Sequence, residues 1–143
     1  MTSGLHLDDQ LCFPLYACAK EVVRQYRKPL EQLHLTYTQY LVMMVLWETG
    51  GMTEGELGNR LYLDSGTLAP LLKRLDKAGL IRRVRLEHNE RKLFLSLTEQ
   101  GEALQEQAKD VAAAMQGCIP LSEQELTLLK TLLNRALAGM ERK

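Results

Sequence analysis

The chain is short of everything that would make a membrane, secreted or metal-dependent protein. No apolar run approaches the ~18 residues a membrane span needs. The start, Met1 to Asp9, has neither the basic nor the apolar stretch of a signal peptide. There are only three cysteines, Cys12, Cys18 and Cys118, an odd number at no metal-like spacing. The three histidines, His6, His34 and His88, are scattered, so no Cys/His zinc cluster is expected and no metal or cofactor is assigned. A compartment of reduced thiols follows as the default, in which a disulfide would act as a signal rather than a staple. Repeats, low-complexity tracts and long linkers are missing too, so one domain spanning residues 1–143 is expected.

Net charge is also missing, because 18 Lys and Arg face 18 Asp and Glu in 143 residues. That excludes a protein that coats DNA or membranes by bulk electrostatics. Along the chain, however, the zero splits. Lys73 to Lys92 carries eight basic and three acidic residues, a net +5, while Thr98 to Leu129 carries one and six, a net −5. A basic block of this kind is either a solvated face or a surface that meets phosphates.

The apolar pattern decides between them. Leu11, Leu15, Cys18, Val22 and Tyr26 predict a helix from about Asp8 to Leu33, capped by Asp8 or Asp9, with Pro14 bending or delaying its first turn. A second helix is predicted over Thr38–Thr49, buried on most sides along Tyr40 to Trp47. Thr53 and Glu56 form a capping box for a short helix ending near Leu61. A further helix opens around Leu63 to Thr67, carries Leu68, Leu71, Leu72 and Leu75 inward, and closes at Gly79. Two short helices with a tight turn make a helix-turn-helix. Ile81–Leu86 and Lys92–Leu97 then alternate as strands about a turn at Glu87 to Glu90. Thr98, capped against Gly101, starts a helix to about Gln116, and Ser122 with Glu125 starts the last one.

The fold expected is therefore mainly α: a winged helix-turn-helix with a two-stranded wing and a helical dimerisation layer. The layer would be built from helices at about 8–33 and 98–142, and the DNA-binding lobe from about 38–97. The basic block falls on the recognition helix and wing, which favours DNA. Ser65, Gly66 and Thr67 are small enough to approach base edges and phosphates. Lys73 and Arg74 suit phosphates, Arg91 at the wing suits a minor groove, and Lys92 beside it is a further DNA-binding candidate.

The order of elements resembles the MarR family of dimeric winged-helix regulators over almost the whole chain. Three stretches, Leu7 to Phe13, Leu35 to Val42 and Leu61 to Leu75, look like its organic-hydroperoxide-sensing repressors (OhrR type). The resemblance implies a homodimeric repressor, not an enzyme, of the bacterial cytoplasm. Its partners would be double-stranded palindromic operator DNA and an organic hydroperoxide as inducer. It further implies that Cys12 is the oxidised thiol and that Tyr26 and Tyr37 of the other subunit hold its thiolate. By position, Cys118 matches the resolving cysteine that some members use, whereas others use a small thiol.

The residues bear on this chemistry independently. The thiolate is the reactive form, and a first-turn cysteine lies where the helix dipole favours an anion, against Asp8 and Asp9. Tyr16, four residues on, shares the Cys12 face and is a third candidate donor. Cys18 lies about 240° around the helix from Cys12 and reads as packing. The alternative is a regulator of the wider family, released by a small aromatic ligand between the dimer layer and the DNA lobe. A thiol peroxidase is disfavoured by the lack of a nearby second cysteine or of an arginine beside Cys12.

Overall fold

A computed structural model describes residues 5–86 and 89–141; the side chains at 89–91 lie outside that description. Six helices and three strands follow one another as α1 (Cys12–Glu31), α2 (Tyr37–Thr49), β1 (Gly51–Thr53), α3 (Glu54–Leu61), α4 (Ser65–Lys77), β2 (Ile81–Leu86), β3 (Asn89–Leu97), α5 (Glu99–Ala114) and α6 (Glu123–Gly139). The architecture is a winged helix-turn-helix carried on long terminal helices, as the apolar periodicity predicts.

The first helix starts later than expected. Leu7–Asp9 forms a separate 3-10 turn, and Leu11, which offers no side-chain cap, precedes α1. Asp8 and Asp9 are thus not its cap. The delay places Pro14 in the first turn, where a missing N–H breaks no intrahelical bond. At the other end α1 stops at Glu31, short of Leu33. Pro29 withholds the N–H that would bond the Gln25 carbonyl, and His34 turns into the left-handed region at φ 55.

Side-chain caps set the other helix starts. Thr36 and Gln39 form a capping box for α2 that the apolar pattern overlooks, and this starts the helix at Tyr37. Thr53 with Glu56 and Ser122 with Glu125 cap α3 and α6 as their spacing predicts. Asp64 accepts from the Thr67 amide at 2.8 Å to start the recognition helix α4. That helix buries Leu68, Leu71, Leu72 and Leu75, whose spacing of three and four turns one side toward the core. They pack with Leu30, Val42, Met43, Leu46, Leu57, Ile81, Leu95 and Val111 in one cluster.

The sheet has one strand more than the two-stranded wing expected. Its order is β1-β3-β2, with Met52 opposite Leu95 and Ile81 opposite Leu97, all antiparallel. Residues 89 and 90 belong to β3 rather than to a four-residue turn, while Glu87 and His88 lie outside the described residues.

The wing and recognition helix are joined to α5 by a short tether. Gly79, at φ 81, turns the chain from α4 toward β2. Its carbonyl accepts from Thr98 Oγ1 at 2.6 Å, and the Leu80 carbonyl accepts from the Thr98 amide at 3.2 Å. Gly101 in the first turn of α5 lies so near Leu80 that a Cβ there would fall 2.0 Å from the Leu80 carbonyl oxygen. Only glycine fits this crossing.

By contrast, α6 buries none of its residues in the single chain. Leu128, Leu132 and Met140 are exposed there, as are Leu11, Phe13, Leu15 and Tyr16 around the start of α1.

Candidate thiol centre and nucleic-acid interface

The outward side of α4 follows from its inward one. With the leucines facing the core, Gly66, Pro70, Lys73 and Lys77 fall within about 60° of one another on the opposite side. Ser65, Gly66 and Thr67 are exposed at the N-terminal turn, and Lys73 and Arg74 are exposed toward the C-terminal one. Lys92 on β3 is exposed as well, whereas the Arg91 side chain lies outside the described residues.

One member of the basic block has an internal task. Arg83 Nε on β2 lies 2.8 Å from Asp76 Oδ2 on α4, and both side chains are about one-third exposed. This ion pair ties the wing to the recognition helix. Charge counting had no means of separating Arg83 from its neighbours.

The cysteines occupy three different settings. Cys12 is the first residue of α1 and is exposed. Cys18 is exposed too, so it does not pack within its own chain, contrary to the reading from its helical position. Cys118 is half-buried in the turn after α5, where its amide donates to the Met115 carbonyl at 3.1 Å. Tyr16 is exposed, and the Lys20 ammonium lies 5.3 Å from its ring centroid.

Tyr26 and Tyr37 are brought together. Their ring centroids are 4.6 Å apart, and the Tyr40 ring lies 5.8 Å from that of Tyr26. Burial, helped by Tyr37, Tyr40 and Cys118, pushes the Tyr26 phenol up to about 12. Burial first, and then Cys118, also raises Tyr37. Both phenols therefore keep their protons at neutral pH and are available as donors to an anion. The charge of Cys118 thus bears on both tyrosines, while Cys12 stands apart from them. Fourteen residues separate Cys12 from Tyr26 along α1, a rise of about 21 Å. Within one chain they cannot meet.

The titration has a measurable consequence. A Tyr26 that ionises near pH 10 when unfolded and near 12 when folded keeps its proton longer in the folded state. Stability should then fall as pH rises between those values, and the last phenol step in an ultraviolet titration should disappear in Tyr26→Phe.

Comparison with known proteins places this geometry. A family model described as the transcriptional regulator SarA/Rot matches residues 24–108. The organic hydroperoxide resistance transcriptional regulator of Bacillus subtilis is 43% identical over 139 residues, which is 97% of this chain and 95% of that one. Reduced AbfR bound to DNA has a TM-score of 0.77 and 36% identity, with 94% of each chain covered. Disulfide-formed AbfR gives 0.66 and 37%, covering 92% of each; AbfR comes from Staphylococcus epidermidis. Wild-type MarR of E. coli, 24% identical over 90% of this chain and 97% of its own, shares the fold with a TM-score of 0.71. These relatives are regulators of transcription and not enzymes. Their likeness runs through the recognition helix, the wing and both terminal helices, and the chain accordingly belongs to the MarR family of winged-helix transcriptional regulators, among the organic hydroperoxide resistance regulators.

Proposed function

We propose that the protein is a homodimeric repressor of the bacterial cytoplasm that grips palindromic operator DNA and lets go when an organic hydroperoxide oxidises Cys12. The observation that carries this reading is the split of the thiol centre along α1. Cys12 is about 21 Å from Tyr26 of its own chain, so Tyr26 could reach it only from a partner subunit. Both tyrosines in turn feel the charge of Cys118. A Cys12 thiolate seated between Tyr26 and Tyr37 of the partner subunit would therefore approach Cys118 of the partner subunit, with Tyr16 on its own helix as a third donor. The bare apolar faces of α1 and α6 support such a pairing, because exposed patches of this extent mark association surfaces.

The chemistry balances with the inducer alone. The thiolate attacks one peroxide oxygen, the O–O bond breaks, and sulfur gains that oxygen while the peroxide leaves as an alcohol. The sulfenic acid then condenses with the Cys118 thiol to form a disulfide and release water. The bridge needs Cα atoms roughly 4.4–6.8 Å apart, so it draws the helices of the layer together. Recognition helices read half-sites about one DNA turn apart, so a small rotation of the lobes forfeits much of the affinity. AbfR is known on DNA in reduced and overoxidised form and also as a disulfide, and this chain superposes equally on the two DNA-bound forms, at a TM-score of 0.77, and less well on the disulfide, at 0.66.

On the DNA side, Ser65, Gly66 and Thr67 would enter the major groove. Lys73, Arg74 and Lys92 would neutralise phosphates, with Arg91 in the minor groove. Lys73→Ala should weaken binding to all sequences alike and flatten the dependence of log K on log salt by about one unit, the value for one phosphate left unneutralised. A titration of operator binding at several salt concentrations checks this.

The whole reading is tested with an operator selected from random duplex DNA. One equivalent of cumene hydroperoxide should release the protein, and non-reducing mass spectrometry should find Cys12 joined to Cys118. An adduct on Cys12 alone points to resolution by a small thiol. Release with Cys12 untouched overturns the proposal and favours the small aromatic ligand instead. An open cleft of about 590 Å³, lined by Val23, Arg27, His34 and Tyr37 among others, would be the place for one.

A further inference from the structure

We infer that Trp47 is a positioning residue that couples the thiol centre to the recognition helix and wing. The inference rests on the proposed Cys12 switch and adds the route by which it reaches the DNA lobe. Tyr37, Tyr40 and Trp47 succeed one another along one side of α2 at intervals of three and seven residues. Tyr37 lies against Tyr26, Tyr26 against Tyr40, and Tyr40 meets Trp47 edge-on with centroids 6.4 Å apart. The rings form one unbroken file from the candidate thiolate donors to the far end of α2.

That file ends on a hydrogen bond. The indole Nε1 of Trp47 donates to the carbonyl of Gly101 at 2.9 Å, across 54 positions of sequence. Gly101 is the residue that crosses Leu80 without room for a Cβ. Thr98, three residues earlier, holds the Gly79 and Leu80 carbonyls. Gly79 and Leu80 lie in the short link between α4 and β2. A displacement of Trp47 therefore bears on α5 at the point where α5 holds the joint between recognition helix and wing.

Close-packed rings pass on displacement because the interior resists compression and has few alternative arrangements. When sulfur leaves the tyrosine pair, or gains oxygen between them, Tyr26 and Tyr37 must repack, and Tyr40 and Trp47 follow. The indole then either drags the Gly101 carbonyl with it or gives up the bond. A tryptophan serving the core alone would have no reason to respond to the redox state of Cys12.

Because Trp47 is the only tryptophan in the chain, the wild-type protein reports on itself. One equivalent of cumene hydroperoxide should shift its emission in step with release from operator DNA, and Cys12→Ser should abolish the shift. In Trp47→Phe, which keeps a ring but loses the donor, dimedone trapping should show Cys12 oxidised at the wild-type rate. Reduced affinity for operator should stay within about twofold, while the affinity lost on oxidation shrinks by about fivefold or more, the lower bound of ordinary allosteric coupling. The inference is overturned if Trp47→Phe releases DNA on oxidation as fully as wild type. It is equally overturned if wild-type protein leaves DNA with its emission unchanged, a result that needs no variant to fold. If wild-type protein is not released at all, the Cys12 switch itself fails, and the coupling with it.

Discussion

Cys12→Ser should bind operator DNA as the wild-type protein does and stay bound at any hydroperoxide concentration that releases wild type. The expectation follows from where the residue sits. Cys12 is exposed at the first position of α1, where serine is well tolerated at a helix N-terminus and the core is left undisturbed. Stability should change by no more than about 0.5 kcal/mol, the range of an ordinary surface substitution. Serine oxygen cannot accept a second oxygen from a peroxide, so the electron pair that breaks the O–O bond has no source at this position. The response should vanish completely, whatever its size in wild type. Gel shifts across a hydroperoxide series decide it, and release of Cys12→Ser at wild-type concentrations would overturn the role given to Cys12. Cys18→Ser, on the same helix but turned away, serves as control and should respond normally.

Replacing Gly101 by alanine should be the most damaging single-methyl change in the chain. The added carbon would sit 2.0 Å from the Leu80 carbonyl oxygen, about half of a comfortable separation, and both partners are backbone. No side chain can rotate to make room. The start of α5 must move off the α4–β2 joint, which breaks the Thr98 hydrogen bonds to Gly79 and Leu80 and the one from Trp47. Overpacking costs about 1–3 kcal/mol and occasionally more, and the broken hydrogen bonds place this site at the upper end. Thermal unfolding should fall by roughly 2–4 °C per kcal/mol for a chain of this length. An unchanged melting temperature would mean that α5 and the recognition helix are not held as described.

Much of the fold was legible because local rules decide it. The pairs Thr53–Glu56, Thr98–Gly101 and Ser122–Glu125 mark helix starts by chemistry confined to four residues. The four leucines of α4 needed only the helical repeat. What escaped depends on distant partners. Strand β1 is three residues long and exists because β3 is beside it. The 3-10 turn at Leu7–Asp9 takes the place that two aspartates invited a helix cap to occupy. The thiol centre divides in the same way. Cys12 could be singled out through resemblance, and its first-turn place through pattern. The pairing of Tyr26 with Tyr37 is tertiary, and so are the Arg83–Asp76 and Trp47–Gly101 links. No spacing within one segment encodes any of these.

The bare face of α6 carries a last consequence. A helix with no fully buried residue in its own chain contributes little to that chain's stability, because a lone amphipathic helix in water is marginal. In the dimer proposed above, its order is then borrowed from the second subunit, and the folding equilibrium acquires a term in protein concentration. Abundance and foldedness then become one variable. A cell that dilutes such a dimer by growth would lose it faster than in proportion, since the subunits left behind also lose the neighbours that hold them folded.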